Sequence, residues 1–241
     1  MDIYEAFKAR GAIPKTAAPS PTEYKEYFES FTSQGAVVVH ISISSNLSSC
    51  HNFACLGAEE AEGEVFVVDS YNFCVGHGIL CMQAARLRDQ GLAAAELAAQ
   101  LEAARPKIKS SYYLDKLDFI SKSGRVPSVV AAAAGLLNLH PSMSVDGEKG
   151  EIVIGKKYRG KNAPEAWLRD NAARLLESCD PALLIYGHTP EIPAEQAEPM
   201  DDLARQLFAG IEQLHIISDE LGCTVLSHVG GGCYGMAAIE K

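Results

Sequence analysis

Three hydroxyl-bearing turns and one glycine-rich histidine loop hold the side chains most able to do chemistry. Thr16 stands in Pro-Lys-Thr-Ala-Ala-Pro-Ser-Pro, residues 14–21; Ser44, Ser45, Ser48 and Ser49 stand in Ile-Ser-Ser-Asn-Leu-Ser-Ser, residues 43–49; Asp69 and Ser70 follow an apolar run. Near the C-terminus comes His228-Val229-Gly230-Gly231-Gly232-Cys233-Tyr234-Gly235. Hydroxyls, helix-start amides and glycine backbone N–H groups are all donors, and a neighbouring imidazole adds another, so the chemistry is the capture of an anion. Helix capping by the same Ser and Thr residues is the alternative use of each turn taken alone. Two basic clusters complete the set: Lys122-Ser123-Gly124-Arg125, and Lys156-Lys157-Tyr158-Arg159-Gly160-Lys161. Concentrated positive charge in an acidic chain suits a phosphate-bearing partner, or else a solvated hairpin tip.

Other chemistries find less support. Gly76-His77-Gly78 begins a dinucleotide fingerprint, but Cys81 occupies the third glycine position and no suitable acidic residue follows. Cys74, His77 and Cys81 have metal-like spacing without a second ligand pair, so no metal is expected. Ser48, Asp69 and His228 could be drawn as a hydrolase triad, but the G-x-S-x-G elbow is missing. No catalytic residue is assigned.

These turns need elements to hold them. Ser20, Pro21 and Glu23 signal the start of a helix running from Thr22 to Ser33, preceded by a shorter N-terminal helix. Val37 to Ile43 and Val65 to Val68 are β-branched runs that read as buried strands, with helices at Leu47 to Ala61, Cys74 to Gln90 and Leu92 to Ala104. That alternation predicts a parallel sheet with ligand sites beyond its strand ends. Further on, the pattern predicts an Ala-rich helix at Ser128 to Leu137 and a strand pair, Met143 to Val145 with Ile152 to Tyr158, turning at Asp146-Gly147. A helix from Ala163 to Leu176, a strand from Ala182 to Tyr186, a helix from Glu195 to Leu214 and two short strands, Thr224 to Ser227 and Met236 to Ile239, follow. The expected architecture is therefore a Rossmann-like parallel-sheet α/β domain, residues 1–132, then an α+β domain, residues 133–241.

Composition narrows the function. The 241 residues are 47% hydrophobic and 22% charged, which is globular, and 31 acidic against 21 basic side chains leave a net charge of −10 that repels nucleic acid and anionic lipid. The apolar stretch from Val126 to Leu139, interrupted by Pro127, Ser128, Gly135 and Asn138, falls short of the ~20 residues of a membrane span. Met1-Asp2-Ile3-Tyr4-Glu5 does not start like a signal peptide, so a cytoplasmic location is expected. Seven irregularly spaced cysteines suit reduced thiols.

Taken in order, PKTAAPSP, HISISSNLSS, VVDS, the Lys-Ser-Gly-Arg of residues 122–125, Leu-Asn-Leu-His-Pro, Tyr158-Arg159-Gly160-Lys161 and His228-x-Gly230-x-Gly232 resemble the DegV family of bacterial fatty-acid-binding proteins over nearly the whole chain. The resemblance implies two domains with an acyl chain in a tunnel between them, and a fatty-acid carboxylate presented to a partner fatty-acid kinase that makes acyl-phosphate. It implies that Thr16, Ser44, Ser45, Ser48, His228, Gly230 and Gly232 bind the ligand and that Arg125 and Arg159 face the kinase, with fatty acid as ligand and no further cofactor. An enzyme using the same hydroxyl and histidine cluster on a small anion is the competing reading. The chain departs from the family pattern at Ala17, Val229, Gly231 and Ser49-Cys50-His51, each of which removes or moves a head-group donor. No counterpart of the family's opening strand precedes Met1, so an N-terminally shortened first domain is expected.

Overall fold

A computed structural model describes residue 9 and residues 14–126, 139–217 and 221–241 of the protein. These divide into two compact units, a smaller one of Ala17–Ile108 with Asp146–Glu151 and a larger one of Met1–Thr16, Lys109–Val145 and Ile152–Lys241. The expected first helix, the Ala-rich helix and the 132/133 boundary lie outside the described residues.

In the smaller unit, helix α1 (Pro21–Thr32) starts as its sequence signals. The Glu23 amide donates to Ser20 Oγ at 3.3 Å and the Ser20 amide to Glu23 Oε2 at 2.7 Å, closing a capping box. Strand β1 (Val38–Ser42) leads through α2 (Cys50–Glu60) to β2 (Val65–Asp69), which pairs parallel to β1 with Val38 opposite Val65 and Ser42 opposite Asp69. Both strand ends therefore deliver polar residues to one edge. A Cβ on Gly57 would sit 2.7 Å from Pro21 O, so this glycine lets α2 approach α1 closely. Helices α3 (Cys74–Asp89) and α4 (Ala94–Ala104) complete the unit, and Phe28, Ala54, Ile79, Leu80 and Leu101 are sealed in its core.

The larger unit is a six-stranded mixed sheet of order β5-β4-β3-β8-β6-β7. Its strands are β3 (Ile108–Leu114), β4 (Leu139–Asp146), β5 (Glu151–Arg159), β6 (Cys179–His188), β7 (Gln213–Ile217) and β8 (Cys233–Glu240). Strand β6 runs parallel to β7 and antiparallel to β8, and β3 runs antiparallel to β4. Helices α5 (Asp118–Ser123), α6 (Ala163–Ser178), α7 (Ala194–Leu207) and α8 (Cys223–Val229) connect them. Trp167 and Leu168 of α6 bury against Tyr113, Leu184, Tyr186 and Tyr234, and Trp167 Nε1 donates to Ser111 Oγ at 3.0 Å.

Three local expectations need correction. Residues 224–227, expected as a strand, lie in helix α8, because Gly222 and Gly230 flank a run that buries Leu226 and Val229 three apart on one face. The helix expected to reach Leu214 ends at Leu207, and Gln213 onward is β7. Strand β3 was not anticipated, since Lys109, Ser110 and Ser111 break the apolar pattern of a strand whose serines are nevertheless buried. All seven cysteines are free thiols. Among the described residues no helix is long and apolar enough to cross a membrane.

Candidate functional site

The larger unit brings together two of the singled-out residues. His228 occupies the last turn of α8, and Thr16 reaches it from the other end of the chain, with Oγ1 2.8 Å from His228 Nε2. The helix stops there because Gly230 takes φ 72° and ψ −166°, its amide donating to Leu226 O at 2.9 Å. Gly232, at φ +73°, then passes so near the bend between β3 and α5 that a Cβ would lie 2.7 Å from Asp115 Cβ. Both glycines therefore shape the loop; only glycine adopts these angles without strain. His228 Nδ1 is buried and has no hydrogen-bond partner among the described residues. Burial, and then the charge of Arg125, hold the His228 imidazole below its ordinary pKa, so it is neutral near pH 7.

Arg125 follows Gly124, whose φ of 73° ends α5, and its guanidinium donates to Ser123 O at 2.7 Å. Helix α5 packs on α8, which is how Arg125 comes to act on His228. Hydroxyl, neutral imidazole and guanidinium in one neighbourhood offer an anion two donors and a counter-charge. Arg159, at the end of β5, is exposed and makes no ion pair among the described residues; its neighbour Lys156 pairs with Asp170.

The serines belong to the smaller unit and divide by use. Ser44 is buried; its hydroxyl donates to Gly150 O at 3.2 Å and accepts from the Asn46 amide at 3.3 Å. Ser48 Oγ accepts from the Cys50 amide at 3.2 Å and donates to Cys50 Sγ at 3.1 Å, a local turn just before α2. Ser45 differs: its amide donates to the Asp69 carboxylate at 3.2 Å, while its half-buried hydroxyl has no hydrogen-bond partner among the described residues. Ser45 is thus the half-buried serine of this loop whose hydroxyl is available to a ligand; Ser49, at the start of α2, is exposed and its side chain makes no capping bond.

Asp69 is the organiser of that edge. Besides Ser45, the Tyr71 amide donates to its Oδ1 at 2.9 Å, and Arg105 donates to its backbone carbonyl at 3.2 Å while lying 3.9 Å from the Tyr71 ring centroid. Ser70 Oγ accepts from the Asn72 amide at 3.1 Å, so Ser70 serves its own turn while Asp69 divides its carboxylate between that turn and the Ser45 amide. Tyr71 and Cys74 take φ of 51° and 47°, a conformation uncommon outside glycine, which Asp69 and the turn hold in place. Arg105 was not singled out from sequence, since a lone arginine at a helix end carries no motif.

A family model described as an uncharacterised protein of the DegV family matches residues 1–241. The chain belongs to the DegV family. A DegV domain-containing protein of Deinococcus radiodurans is 28% identical over 235 residues, covering 98% of this chain and 81% of that one. A protein of Thermotoga maritima named as a fatty acid-binding protein is 25% identical over 247 residues, covering 100% of this chain and 83% of its own. Among solved structures, a DegV family protein of Thermus thermophilus, described for its fatty acid binding, superposes with a TM-score of 0.83 at 25% identity, covering 99% of this chain and 83% of that chain. The Fatty Acid Kinase (Fak) B3 protein of Streptococcus pneumoniae, loaded with linoleic acid, shares the fold with a TM-score of 0.81 at 22% identity over 98% of this chain and 82% of that one. The parallel-sheet unit and the mixed-sheet unit are therefore the DegV fold.

Proposed function

We propose that this DegV protein binds a long-chain fatty acid, holds its carboxylate with Thr16, Ser45 and His228, and presents it to a partner fatty-acid kinase, which carries the catalysis. The observation that carries the reading is the 2.8 Å contact of Thr16 Oγ1 with His228 Nε2 beside the charge of Arg125, an arrangement suited to a single carboxylate. The Thermotoga maritima relative, named for binding fatty acid, supports the ligand class. Ser45 contributes an unengaged hydroxyl, whereas Ser44 and Ser48 shape its loop.

Magnitudes divide the labour. Burying some fifteen chain carbons at ~0.8 kcal/mol each gives roughly 12 kcal/mol gross, while a hydrogen bond to a charged carboxylate nets about 1.5–3 kcal/mol. The tail supplies affinity and the head group selects acids over other lipids, after ordering and association costs are subtracted. Exposed Arg159, and Arg125 beside the head-group residues, are the basic groups proposed to meet the kinase or its nucleotide phosphates; the name of the Streptococcus pneumoniae protein supports that partner class. A cytoplasmic location fits a kinase that draws on nucleotide.

Mass spectrometry of an organic extract of the purified protein tests this. Co-purified fatty acid, lost from Thr16→Ala and His228→Ala proteins that remain folded, is the expected result. A wild-type protein that carries none and takes none up from solution would overturn the reading and favour a small anion at the same residues.

A further inference from the structure

A second group of titratable side chains in the smaller unit plays no part in the proposed head-group site. His40 of β1, His51 of α2 and His77 of α3 lie near enough that both His51 and His77 oppose a positive charge on His40. Hydrogen bonds of His51 and His77 tie α2 and α3 to β1. His77 Nε2 is 3.0 Å from Ile41 O, and a carbonyl only accepts, so that nitrogen carries the proton. His51 Nδ1 is 2.9 Å from Ser42 Oγ and its Nε2 3.6 Å from Cys55 Sγ, which ties α2 to the end of β1. His40 lies 5.5 Å and 5.4 Å from the Tyr24 and Phe28 ring centroids, with Nε2 sealed from solvent and without a partner among the described residues. Neutral His40 and His77 are accommodated as they stand; a further proton on either adds an unpaired charge.

No counter-charge stands ready. Asp69 of β2 is engaged by the amides of Ser45 and Tyr71, and both Glu59 of α2 and Asp69 act on the Cys55 thiol beside His51. On α1, Glu23 closes the capping box and Glu29 accepts from the Glu62 amide and pairs with Lys25; Glu96 and Glu102 of α4 are exposed. Arg86, Arg88 and Asp89 lie at the far end of α3. Among the described residues none of these three histidines has an ion-pair partner, and no group of three or more His, Cys, Asp or Glu side chains could hold a metal ion.

We propose that His40 and His77 make the smaller unit an acid-sensitive latch, closed while these two imidazoles are neutral, whose opening in mild acid frees the β1–α2 turn carrying Ser44 and Ser45. Ligand release on opening rests on the fatty-acid reading; the latch itself does not. Burial depresses the His40 pKa from 6.5 to about 4 and lowers that of His77 in the same direction. Between the two His40 values the open chain binds more protons than the closed one, so falling pH favours opening by up to tenfold per pH unit through His40, and His77 adds in the same direction. The sole tryptophan, Trp167, is buried in the larger unit and reports on it separately.

Hydrogen exchange of the ligand-free, full-length protein at pH 7.5 and 5.5, corrected for intrinsic rates, decides this. Protection of amides 38–45 should fall at least tenfold in the wild type with Trp167 emission unchanged. In His40→Phe, which keeps an aromatic ring beside Tyr24 and Phe28, or His77→Asn, which keeps a donor for Ile41 O, the fall should shrink several-fold. Equal falls in all three proteins, no fall in the wild type, or a parallel change at Trp167 overturns the latch. Fatty-acid retention is measured alongside: a wild type that binds none at pH 7.5 sinks the fatty-acid reading while the exchange data still judge the latch.

Discussion

Thr16 Oγ1 lies 2.8 Å from His228 Nε2 although 212 positions separate the two residues. The contact joins the turn before α1 to the last turn of α8, and neither side chain has a capping duty there. A threonine hydroxyl that holds an imidazole can hold a carboxylate oxygen in the same plane, which is why this pair, rather than the serine-rich loop, anchors the functional reading.

Removing one of these donors gives the first prediction. Thr16→Ala, and separately Ser45→Ala, should weaken fatty-acid binding by ~1.5–3 kcal/mol, about ten- to 150-fold, as displacement of a fluorescent fatty acid would measure. Ser44→Ala should behave differently, lowering the denaturation midpoint of the smaller unit, because its hydroxyl bonds Gly150 O. A Ser44→Ala protein of unchanged stability and lost affinity would reverse the roles assigned to the two serines.

Gly232 and Gly124 share φ +73° but not surroundings, so they separate strain from collision. A Cβ at Gly124 meets nothing within 4 Å, whereas at Gly232 it lies 2.7 Å from Asp115 Cβ. Gly124→Ala should cost about 1–2 kcal/mol of stability from the left-handed backbone alone. Gly232→Ala should cost clearly more, and urea titration of the two variants side by side tests the difference.

The sequence showed the elements whose residues obey one period and hid those whose burial is polar or whose propensity misleads. The capping box of α1, strands β1 and β2 and helix α6 follow their patterns, since each has an apolar stripe or run ended by recognisable punctuation. Strand β3 hides Ser110 and Ser111 in a core where Trp167 Nε1 satisfies one of them, so its polarity looked like a loop. Helix α8 is only seven residues long and carries Thr224 and Val225, and packing against α5 overrode their preference for strand. The hydroxyl turns were visible as candidates, but which serine keeps a free hydroxyl depends on Gly150 and Asp69, residues far off in sequence.

Trp167 offers a stability test of the larger unit. Trp167→Phe keeps most of the apolar volume but strips the donor from buried Ser111, so it should destabilise by about 1–3 kcal/mol. Adding Ser111→Ala to it should recover part of that loss, because the orphaned hydroxyl is then gone. A double variant less stable than Trp167→Phe alone, by urea denaturation, would show that Ser111 has another partner.

The charge of Arg125 on His228 can be read directly by titration. In the ligand-free protein the His228 ring resonance should titrate below 6.5, since burial and then Arg125 both disfavour the imidazolium. Replacing Arg125 with Ala removes the second cause, so the midpoint should move upward, toward but not past the ordinary value; assignment is made by comparison with His228→Ala. A bound carboxylate acts in the opposite sense, favouring the charged ring. Fatty acid should therefore raise the His228 midpoint, and binding near pH 6.5 should be accompanied by proton uptake, visible as a calorimetric enthalpy that changes with the ionisation heat of the buffer. Between neutrality and the onset of latch opening, affinity should accordingly rise as pH falls. Buffer-independent enthalpies together with a His228 midpoint unmoved by ligand would place the carboxylate away from this imidazole and return Thr16 to a structural role.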